Sequence, residues 1–436
     1  MDDERVLCNN VRMPAEPSVA SGASPSLEPG KQAPPGVLGV VFVTLFLDLL
    51  GFGILIPIQP FYAEHFGASP SVVTLIGASY SVMQFLFAPM WGRLSDRIGR
   101  RPVVLISIAI GACGFLVFGF ATSLWMLFAA RMVAGFGNAN IGTVQAIVAD
   151  VTSGKDRAKG MGVVGAAFGL GFVFGPVLGG VASYYWGPSV PAFIAAGLGA
   201  LNWILAFIRL RETRTPGVAS EARGFLNLHA LADASKHVNV PALLAIFFVF
   251  TMGFSLMETS LSLFLEHSFV PADIIGSDAG QKTASKLTAM LLFAVGITSA
   301  IVQGGLIGRL RKLYSEKLML LAGAGLIAVS FVALAFVPDV FGEHGFPWMF
   351  PGAVLLAFGS GIFSPSQSSL LSRSVPAHEQ GGVLGVGQSM SALGRIFGPA
   401  SSGVLFERAH NLPLLVGAVL VVIAAAIAGS LRPPPA

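Results

Sequence analysis

The sequence predicts an all-α membrane protein in which twelve transmembrane helices form two six-helix halves related by a parallel repeat. Three observations predict this fold class. Of the 436 residues, 54% are hydrophobic and only 11% are charged, whereas soluble domains carry about 25% charged residues. The apolar residues fall into runs of membrane-spanning length, and the second six runs repeat features of the first six. This composition excludes an ordinary soluble enzyme.

The apolar runs set the number of spans. A bilayer core about 30 Å thick needs about 20 apolar residues per helix. Runs of this kind predict spans at 37–63, 72–91, 103–122, 125–149, 161–183, 190–208, 239–264, 287–307, 318–337, 348–371, 383–405 and 412–431. An even number of spans places both termini on the same side of the membrane.

Basic residues are distributed unequally between the two sets of loops. The loops after spans two, four, six, eight and ten, together with the C-terminal tail, hold 18 of the 26 Lys and Arg residues. The N-terminal tail holds three more, and the opposite loops hold three. Because cytoplasmic loops carry the excess of basic residues, the sequence predicts a multi-pass protein of the bacterial inner membrane with both termini in the cytoplasm. The same bias accounts for the net charge of +4, so no nucleic-acid partner is expected.

Polar segments divide the chain into four parts. Residues 1–35 are polar and rich in Pro, Ser and Gly, which predicts a disordered cytoplasmic tail. Residues 36–208 form the N-terminal six-helix half, and residues 239–436 form the C-terminal half. The linker between them, 209–238, alternates apolar and polar residues in a way typical of a short amphipathic helix on the membrane surface.

Spans five and eleven carry the same residues at a constant offset. Adding 223 to six positions in span five gives the same residue in span eleven: Gly162, Gly171, Phe174, Gly175, Pro176 and Gly180 correspond to Gly385, Gly394, Phe397, Gly398, Pro399 and Gly403. Both halves begin on the same side of the membrane, so the repeat is parallel. Such repeats predict a substrate site near the bilayer midplane, between the halves.

Four motifs carry a family resemblance. They are Gly92-Arg93-Leu94-Ser95-Asp96-Arg97-Ile98-Gly99-Arg100-Arg101-Pro102 after span two, Gly162-x8-Gly171-x3-Gly175-Pro176-x2-Gly179-Gly180 in span five, Asp48-x2-Gly51-x-Gly53-x3-Pro57-x2-Pro60 in span one, and Arg131 in span four. In this order the motifs resemble those of the major facilitator superfamily, and within it the twelve-span drug:proton antiporters that include the tetracycline efflux pumps. The resemblance covers residues 37–431 and implies the fold of that superfamily.

The loop after span two contains a candidate gate. Asp96 at the end of span two can pair with Arg100 and cap the start of the next helix, and Asp150 at the end of span four is a third member. Gly92 is expected to allow close helix approach, and Gly99 a tight turn. The resemblance implies that a cytoplasmic gate latches the two halves together when the carrier faces outward; its residues are Gly92, Asp96, Arg100, Arg101 and Asp150. A membrane-end anchor with surface ion pairs is the structural alternative.

Small residues in span five predict a smooth face for helix packing, and its proline can bend the helix. The resemblance implies that the same positions provide the bend and the seal of antiporters. The residues of this motif are Gly162, Gly171, Gly175, Pro176, Gly179 and Gly180.

Four ionisable residues remain inside the spans: Asp48, Arg131, Glu258 and Arg395. Each costs about 2.5–3.5 kcal/mol at the bilayer centre, so they are expected to face a wet cavity or one another. A desolvated carboxyl can exchange a proton, which makes Asp48 and Glu258 candidate proton or substrate sites. The resemblance places Arg131 near the proton site of the family. Pairing of Arg395 with an acid is a hypothesis of ours, and a static ion pair is the structural alternative.

The sequence shows no catalytic constellation, no metal-ligand spacing and no nucleotide-binding signature. We therefore expect neither an enzyme nor a cofactor. The resemblance implies a proton-coupled transporter that exports small lipophilic or drug-like molecules by alternating access. Its expected partners are a small-molecule substrate, protons and the lipid bilayer, and a monomer is expected. Thr298 occupies the position of a histidine in the tetracycline pumps, which argues against tetracycline as the substrate.

Two other functions remain compatible with the fold. A uniporter or symporter that imports a sugar or an organic acid would differ in coupling, and the span-five motif argues against it. A receptor-like member that has lost transport would also keep the fold, and the intact loop after span two argues against that. The direction of proton movement on adding substrate distinguishes the first alternative, and binding without flux distinguishes the second.

Overall fold

The computed structural model describes residues 37–152, 157–213, 237–375 and 380–431. The tail predicted at 1–35 lies outside these ranges, and so does the amphipathic stretch of the 209–238 linker. Within the described ranges the chain is helical and forms no β-strand. Its α-helices there are α1 (Val37–Leu55), α2 (Gln59–His65), α3 (Pro70–Ile98), α4 (Arg100–Gly119), α5 (Leu124–Gly137), α6 (Ile141–Val151), α7 (Arg157–Trp186), α8 (Val190–Arg209), α9 (Val240–Phe269), α10 (Asp278–Ile301), α11 (Ile307–Leu313), α12 (Glu316–Phe341), α13 (Met349–Arg373), α14 (Gln380–Arg408) and α15 (Leu412–Gly429).

These helices group into segments that agree with twelve spans. Nine helices in the described ranges are long and apolar enough to cross a membrane. Three predicted spans are not continuous, which corrects the sequence-based boundaries: α1 and α2 share the first span, α5 and α6 the fourth, and α10 and α11 the eighth. Others are longer than predicted; the second, predicted at 72–91, runs over Pro70–Ile98.

Each interruption has a local cause. Pro57 cannot donate a backbone hydrogen bond, and Pro60 is accommodated at the start of α2, where its missing N–H is not needed. In the fourth span, the turn between α5 and α6 contains Asn138 and Asn140, whose short polar side chains favour helix ends. A π-helical segment, Val302–Leu306, separates α10 from α11.

The first eight helices form one half and the last seven form the other. Successive spans run in opposite directions, so α1 begins and α15 ends at the same end of the bundle. We call that end the terminal face and the opposite end the distal face. The halves meet mainly where α3 packs on α14 and where α7 packs on α10.

The distal ends of the two halves are in contact. Phe61 of α2 is buried against Val270 and Ala284 of the other half. The backbone N–H of Ser71, at the start of α3, donates a hydrogen bond of 3.1 Å to Oε1 of Glu407 on α14. The structure is therefore closed at the distal face.

The repeat is visible in the packing between the halves. Gly180 of α7 faces Ser285 and Ala289 of α10, so closely that a Cβ at Gly180 would collide with Ala289. Its counterpart at an offset of 223, Gly403 of α14, lies against Ser71 of α3 in the same way. Equivalent glycines thus allow the two equivalent contacts between the halves.

Candidate functional site

Asp48 of α1 is held by a partner on a neighbouring helix. Its Oδ1 accepts a hydrogen bond of 2.8 Å from Nδ2 of Asn202 on α8. Asn202 is fully buried and also donates to the backbone oxygen of Thr44 at 3.1 Å. Asp48 Oδ2 is buried and has no hydrogen-bond partner within the ranges that the structure describes. One carboxyl oxygen is therefore fixed, and the other is available to a proton or a ligand.

Arg131 of α5 is a buried cation supported by aromatic rings. Its side chain is only 5% exposed. The guanidinium carbon lies 4.6 Å from the ring centroid of Tyr80 and 5.5 Å from that of Phe52, which is cation–π geometry. Among the described residues, its Nε and Nη1 have no hydrogen-bond acceptor. Unpaired donors on a buried cation are typical of a site that binds a ligand or changes state.

Tyr80 of α3 connects the charges of the two halves. Arg131 of the N-terminal half lies over its ring, and the charges of Asp48 in the same half and Arg395 in the C-terminal half lie within electrostatic range of its hydroxyl. Its hydroxyl accepts a hydrogen bond of 3.1 Å from Nε2 of Gln84, one turn further along α3. Our sequence analysis missed this residue; the only available signal was a tyrosine spaced i, i+4 from a glutamine inside a span.

Glu258 of α9 and Arg395 of α14 are electrostatic partners. In the described part of the chain the two side chains form no direct ion pair. Their opposite charges therefore attract each other without contact. The sequence hypothesis that Arg395 pairs with an acid thus has a specific candidate partner. Tyr80 lies within electrostatic range of Asp48, Arg131 and Arg395, and Arg395 within that of Glu258.

A cavity of about 210 Å³ lies beside Arg395, within the C-terminal half. Gln367 of α13 is 3% exposed, and its Nε2 has no hydrogen-bond partner among the described residues. Thr251 Oγ1 and Ser391 Oγ are 3.1 Å apart in the same wall. The lining residues are Phe247, Phe250, Thr251, Phe254, Ser364, Gln367, Ser368, Gln388, Ser391 and Arg395. Apolar rings with a few directed donors are typical of small-molecule sites.

The candidate gate forms a polar cluster at the terminal face. Arg100 donates from Nη1 to Asp96 Oδ1 at 2.6 Å and to Ser95 Oγ at 2.7 Å, and from Nε to Asp150 Oδ2 at 3.2 Å. Arg101 donates from Nη2 to the backbone oxygen of Phe207 at 2.8 Å. This cluster joins α3, α4, α6 and α8, all of the same half. In the distally closed structure these hydrogen bonds connect helices of the N-terminal half only. The predicted contact of this cluster with the other half stays a prediction.

Glu212, which the sequence analysis missed, completes this cluster. It accepts hydrogen bonds from the backbone N–H groups of Arg100 and Arg101 at 2.9 and 3.1 Å, at the start of α4. Gly99 precedes them with φ +105°, and a Cβ there would collide with the Glu212 carboxyl. The tight turn predicted at Gly99 is confirmed. A Cβ at Gly92 would meet open space, so the close helix approach expected there is absent from this structure.

The span-five motif serves two contacts. A Cβ at Gly171 would lie 2.6 Å from Leu49 Cβ, one at Gly175 would lie 2.7 Å from Gly53 Cα, and one at Gly179 would collide with the backbone of Ile54. These three glycines therefore pack α7 on α1 of the same half, whereas Gly180 faces the other half. Pro176 lies inside α7. Gly162 lies in α7 as well, but its surroundings fall outside the described residues.

Comparisons with known proteins were made for the whole chain. The family model described as Major Facilitator Superfamily matches residues 41–399 and 268–436. The tetracycline resistance protein of class C from Escherichia coli is 31% identical over 88% of this chain and 94% of its own length. The class B protein from the same organism is 29% identical, over 88% and 91%. Multidrug resistance protein 2 of Bacillus subtilis is 28% identical, over 88% and 92%.

Two solved structures of transporters are also similar to this chain. The human organic anion transporter MFSD10 (TETRAN) matches with a TM-score of 0.67 and 26% identity, over 91% of this chain and 100% of its own. A point mutant of the nucleoside transporter NupG matches with a TM-score of 0.73 and 16% identity, over 90% and 99%. The second likeness concerns the fold alone.

Proposed function

Because the chain belongs to the Major Facilitator Superfamily, we propose that it is a proton-coupled secondary transporter that exports small lipophilic or drug-like molecules by alternating access. The observation that carries the proposal is the set of intramembrane charges, Asp48, Arg131, Glu258 and Arg395. Arg131 packs on Tyr80, and Arg395 lines an aromatic cavity. A static membrane protein has no need of such charges, since each is costly in lipid. Relatives named as tetracycline and multidrug resistance proteins support export as the direction.

We take the terminal face as cytoplasmic, on the strength of the basic residues in its loops. The distally closed structure then corresponds to the state that faces the cytoplasm, from which an exporter loads its substrate. The amphipathic cavity beside Arg395 suits an apolar molecule that carries a hydrogen-bond acceptor, because Phe250 and Phe254 offer ring faces and Gln367 offers an unused donor.

Proton coupling in this proposal depends on competition for the carboxyls. Asp48 has one fixed and one free oxygen, and Glu258 balances the charge of Arg395 across the cavity wall. A neutral or cationic substrate that favours the ionised carboxyls displaces their protons. A proton arriving from the other side of the membrane then displaces the substrate. Asp48, Glu258 and Arg395 would carry the coupling, and Arg131 would hold the Asp48 side of the site through Tyr80.

The test is proton release from purified protein in detergent on addition of a panel of lipophilic drugs. We expect release with the wild type and its loss in Asp48→Asn, which keeps the size of the side chain and its contact with Asn202. Asp150→Asn, a substitution in the terminal-face cluster, is the matched control and should keep the release. Drug binding without any change in bound protons would contradict coupling at Asp48.

Organic anions are a second candidate substrate class, and the donor-rich wall of the cavity favours it. Arg395 and Gln367 both present donors to the same space, and MFSD10, at 26% identity, is named as an organic anion transporter. An anion bound near Glu258 makes its protonated form more favourable. Organic acids should therefore cause proton uptake where the first proposal expects release, so the same measurement separates the two.

The remaining features belong to the same proposal. We place both termini in the cytoplasm of a bacterium and the protein in the inner membrane as a monomer. When the distal face opens, the terminal faces of the halves come together, and the cluster of Asp96, Arg100 and Asp150 is then positioned to hold them. The tail at 1–35 and the linker at 209–238 keep the roles predicted from the sequence.

A further inference from the structure

Two glutamates from opposite halves meet at the distal face. Glu64 lies in the last turn of α2, and Glu266 lies near the end of α9. At 1.5 Å per residue, Glu266 is about 39 Å along α9 from Val240, which is further than the thickness of the hydrocarbon core, about 30 Å. The pair therefore lies at the distal membrane surface, separate from the intramembrane charges of the proposed transport site.

The two carboxyl groups differ in burial, and Glu64 is only partly buried. Glu266 is fully buried, and its Oε1 accepts a hydrogen bond of 3.1 Å from the backbone N–H of Gly276. The carboxyl of Glu64 is within hydrogen-bonding reach of the Glu266 carboxyl. Oε2 of each residue is buried and receives no hydrogen bond from any donor in the described ranges. Two neighbouring carboxyl groups, each with an oxygen that receives no donor, favour one shared proton.

In the described ranges of the chain, no cation acts on the carboxyl of Glu64. Burial and the neighbouring charge of Glu266 both disfavour the ionised form of the Glu64 carboxyl. His267 on the same helix turns its ring toward His410 and Phe406, and Glu407 on α14 accepts from the Ser71 backbone. The other ionisable residues on the adjoining elements are His65 on α2, Asp273 before α10, and Asp278 and Lys282 on α10; the charge that acts on Glu64 is that of Glu266.

We propose that Glu64 and Glu266 form a proton-binding site that exists only when the distal face is closed. In the closed state the two carboxyls share one proton across the junction of the halves. When the face opens, the carboxyls separate into water and the shared proton is released. Closure therefore takes up one proton, and it is favoured at low pH on the distal side. When the pH rises and both carboxyls ionise, two adjacent negative charges oppose closure.

This site lies outside the proposed transport mechanism and needs neither substrate nor Asp48. A proton taken from the distal side on closure favours the state that loads substrate, and it returns to the same side on opening. This site therefore sets the balance between the two states and does not carry the exchanged proton. Its experiment is carried out without substrate, so its result and the result of the drug-induced proton release test are independent of each other.

The experiment measures the opening of the distal face in the full chain, in lipid nanodiscs. Cys8→Ser and Cys113→Ser remove the native thiols, and Thr122→Cys and Ala272→Cys place one spin label on an exposed distal position of each half. Double electron–electron resonance gives the distance distribution from about pH 5 to about pH 9, a range that begins near the ordinary carboxyl pKa and ends well above it. We expect a short distance at low pH and growth of a longer one as the pH rises.

Isosteric variants test the assignment. Glu64→Gln and Glu266→Gln each replace the shared proton with an amide donor, so the short distance should persist over the whole range and the pH response should be lost. Glu407→Gln, which alters a neighbouring contact between the halves, should keep the pH response of the wild type. A wild type without a pH response overturns the proposal. So does an unchanged response in both Glu64→Gln and Glu266→Gln, or its loss in Glu407→Gln alone.

Discussion

Tyr80 packs on Arg131 and lies near charged residues of both halves. Its ring supports the Arg131 guanidinium at 4.6 Å, and Asp48 of one half and Arg395 of the other lie within electrostatic range of its hydroxyl. The ring and the hydroxyl have separable roles, because only the hydroxyl accepts the hydrogen bond from Gln84. The ring stabilises a buried cation that has no carboxylate partner in the described part of the chain.

We expect Tyr80→Leu to reduce transport by about thirtyfold. A desolvated cation–π contact contributes about 2 kcal/mol, and its loss leaves the Arg131 charge unsupported beside Asp48. Tyr80→Phe keeps the ring and should retain most of the activity. The measurement is the initial rate of proton-driven drug uptake in inside-out proteoliposomes at equal protein content. Equal rates for Tyr80→Leu and the wild type would show that the ring has no part in the site.

At the scale of elements, the glycines of α7 pack against two different helices, α1 and α10. Gly171, Gly175 and Gly179 bring α7 against α1 of the same half, and these contacts do not change when whole halves move. Gly180 lies on the moving junction, facing α10 of the other half. Gly403 makes the equivalent contact on α14. The motif that resembles that of antiporters is therefore both a packing surface and part of the distal closure.

We expect Gly180→Val to hold the distal face open. The valine side chain would occupy the space of Ala289, with no void to receive it, and overpacking of this kind costs about 1–3 kcal/mol. Since the collision exists only when the halves meet, the cost falls on the closed state. Distance measurement between labels at Thr122 and Ala272 should show the longer distance at every pH.

Gly169→Val is the matched control on the same helix, because a Cβ there meets open space. This variant should behave as the wild type. A closed Gly180→Val protein would contradict this reading of the contact.

The sequence predicted the number and order of the spans better than their continuity. Hydropathy averages over about 20 residues, so it identifies a span but does not register a short break within one. Pro57 and Pro60 could have indicated the break in the first span, because proline disrupts helix hydrogen bonding. The π-helical segment Val302–Leu306 has no such marker: its sequence is apolar and small, and its geometry depends on packing with other helices.

The residues of the candidate site that could be predicted are those with a charge inside a membrane span. A charge inside a span is visible from sequence alone, so Asp48, Arg131, Glu258 and Arg395 could be identified. Tyr80, Asn202 and Gln367 are uncharged, and their roles depend on partners brought close by the fold; Asn202 contacts Asp48 across 154 positions of sequence. Glu212 could not be predicted either, because it accepts hydrogen bonds at the start of a helix that begins 112 positions earlier in the sequence.

At the scale of the whole molecule, each half has its own clamp at the terminal face. In the N-terminal half, Arg100 binds Asp96 and Asp150. The C-terminal half uses different residues: Glu316 at the start of α12 binds Arg373 and Ser369 of α13. The two clamps stabilise the halves separately, which leaves the junction between them free to move. Alternating access by rocking of two rigid bodies requires this separation.

We expect Arg100→Ala to loosen only the N-terminal half. Losing its charged hydrogen bonds, which are partly exposed, should raise amide hydrogen exchange at the terminal ends of α3, α4 and α6 by about tenfold, equivalent to about 1.4 kcal/mol. Exchange in α12 and α13 should not change. Glu316→Ala should show the reverse pattern, raising exchange in α12 and α13 alone, and the two effects should add in the double variant because the clamps share no partner. Exchange that rises in both halves after either single substitution would show that the halves do not move as independent bodies, and a rocking mechanism would then have to be replaced by one in which the terminal face deforms as a unit.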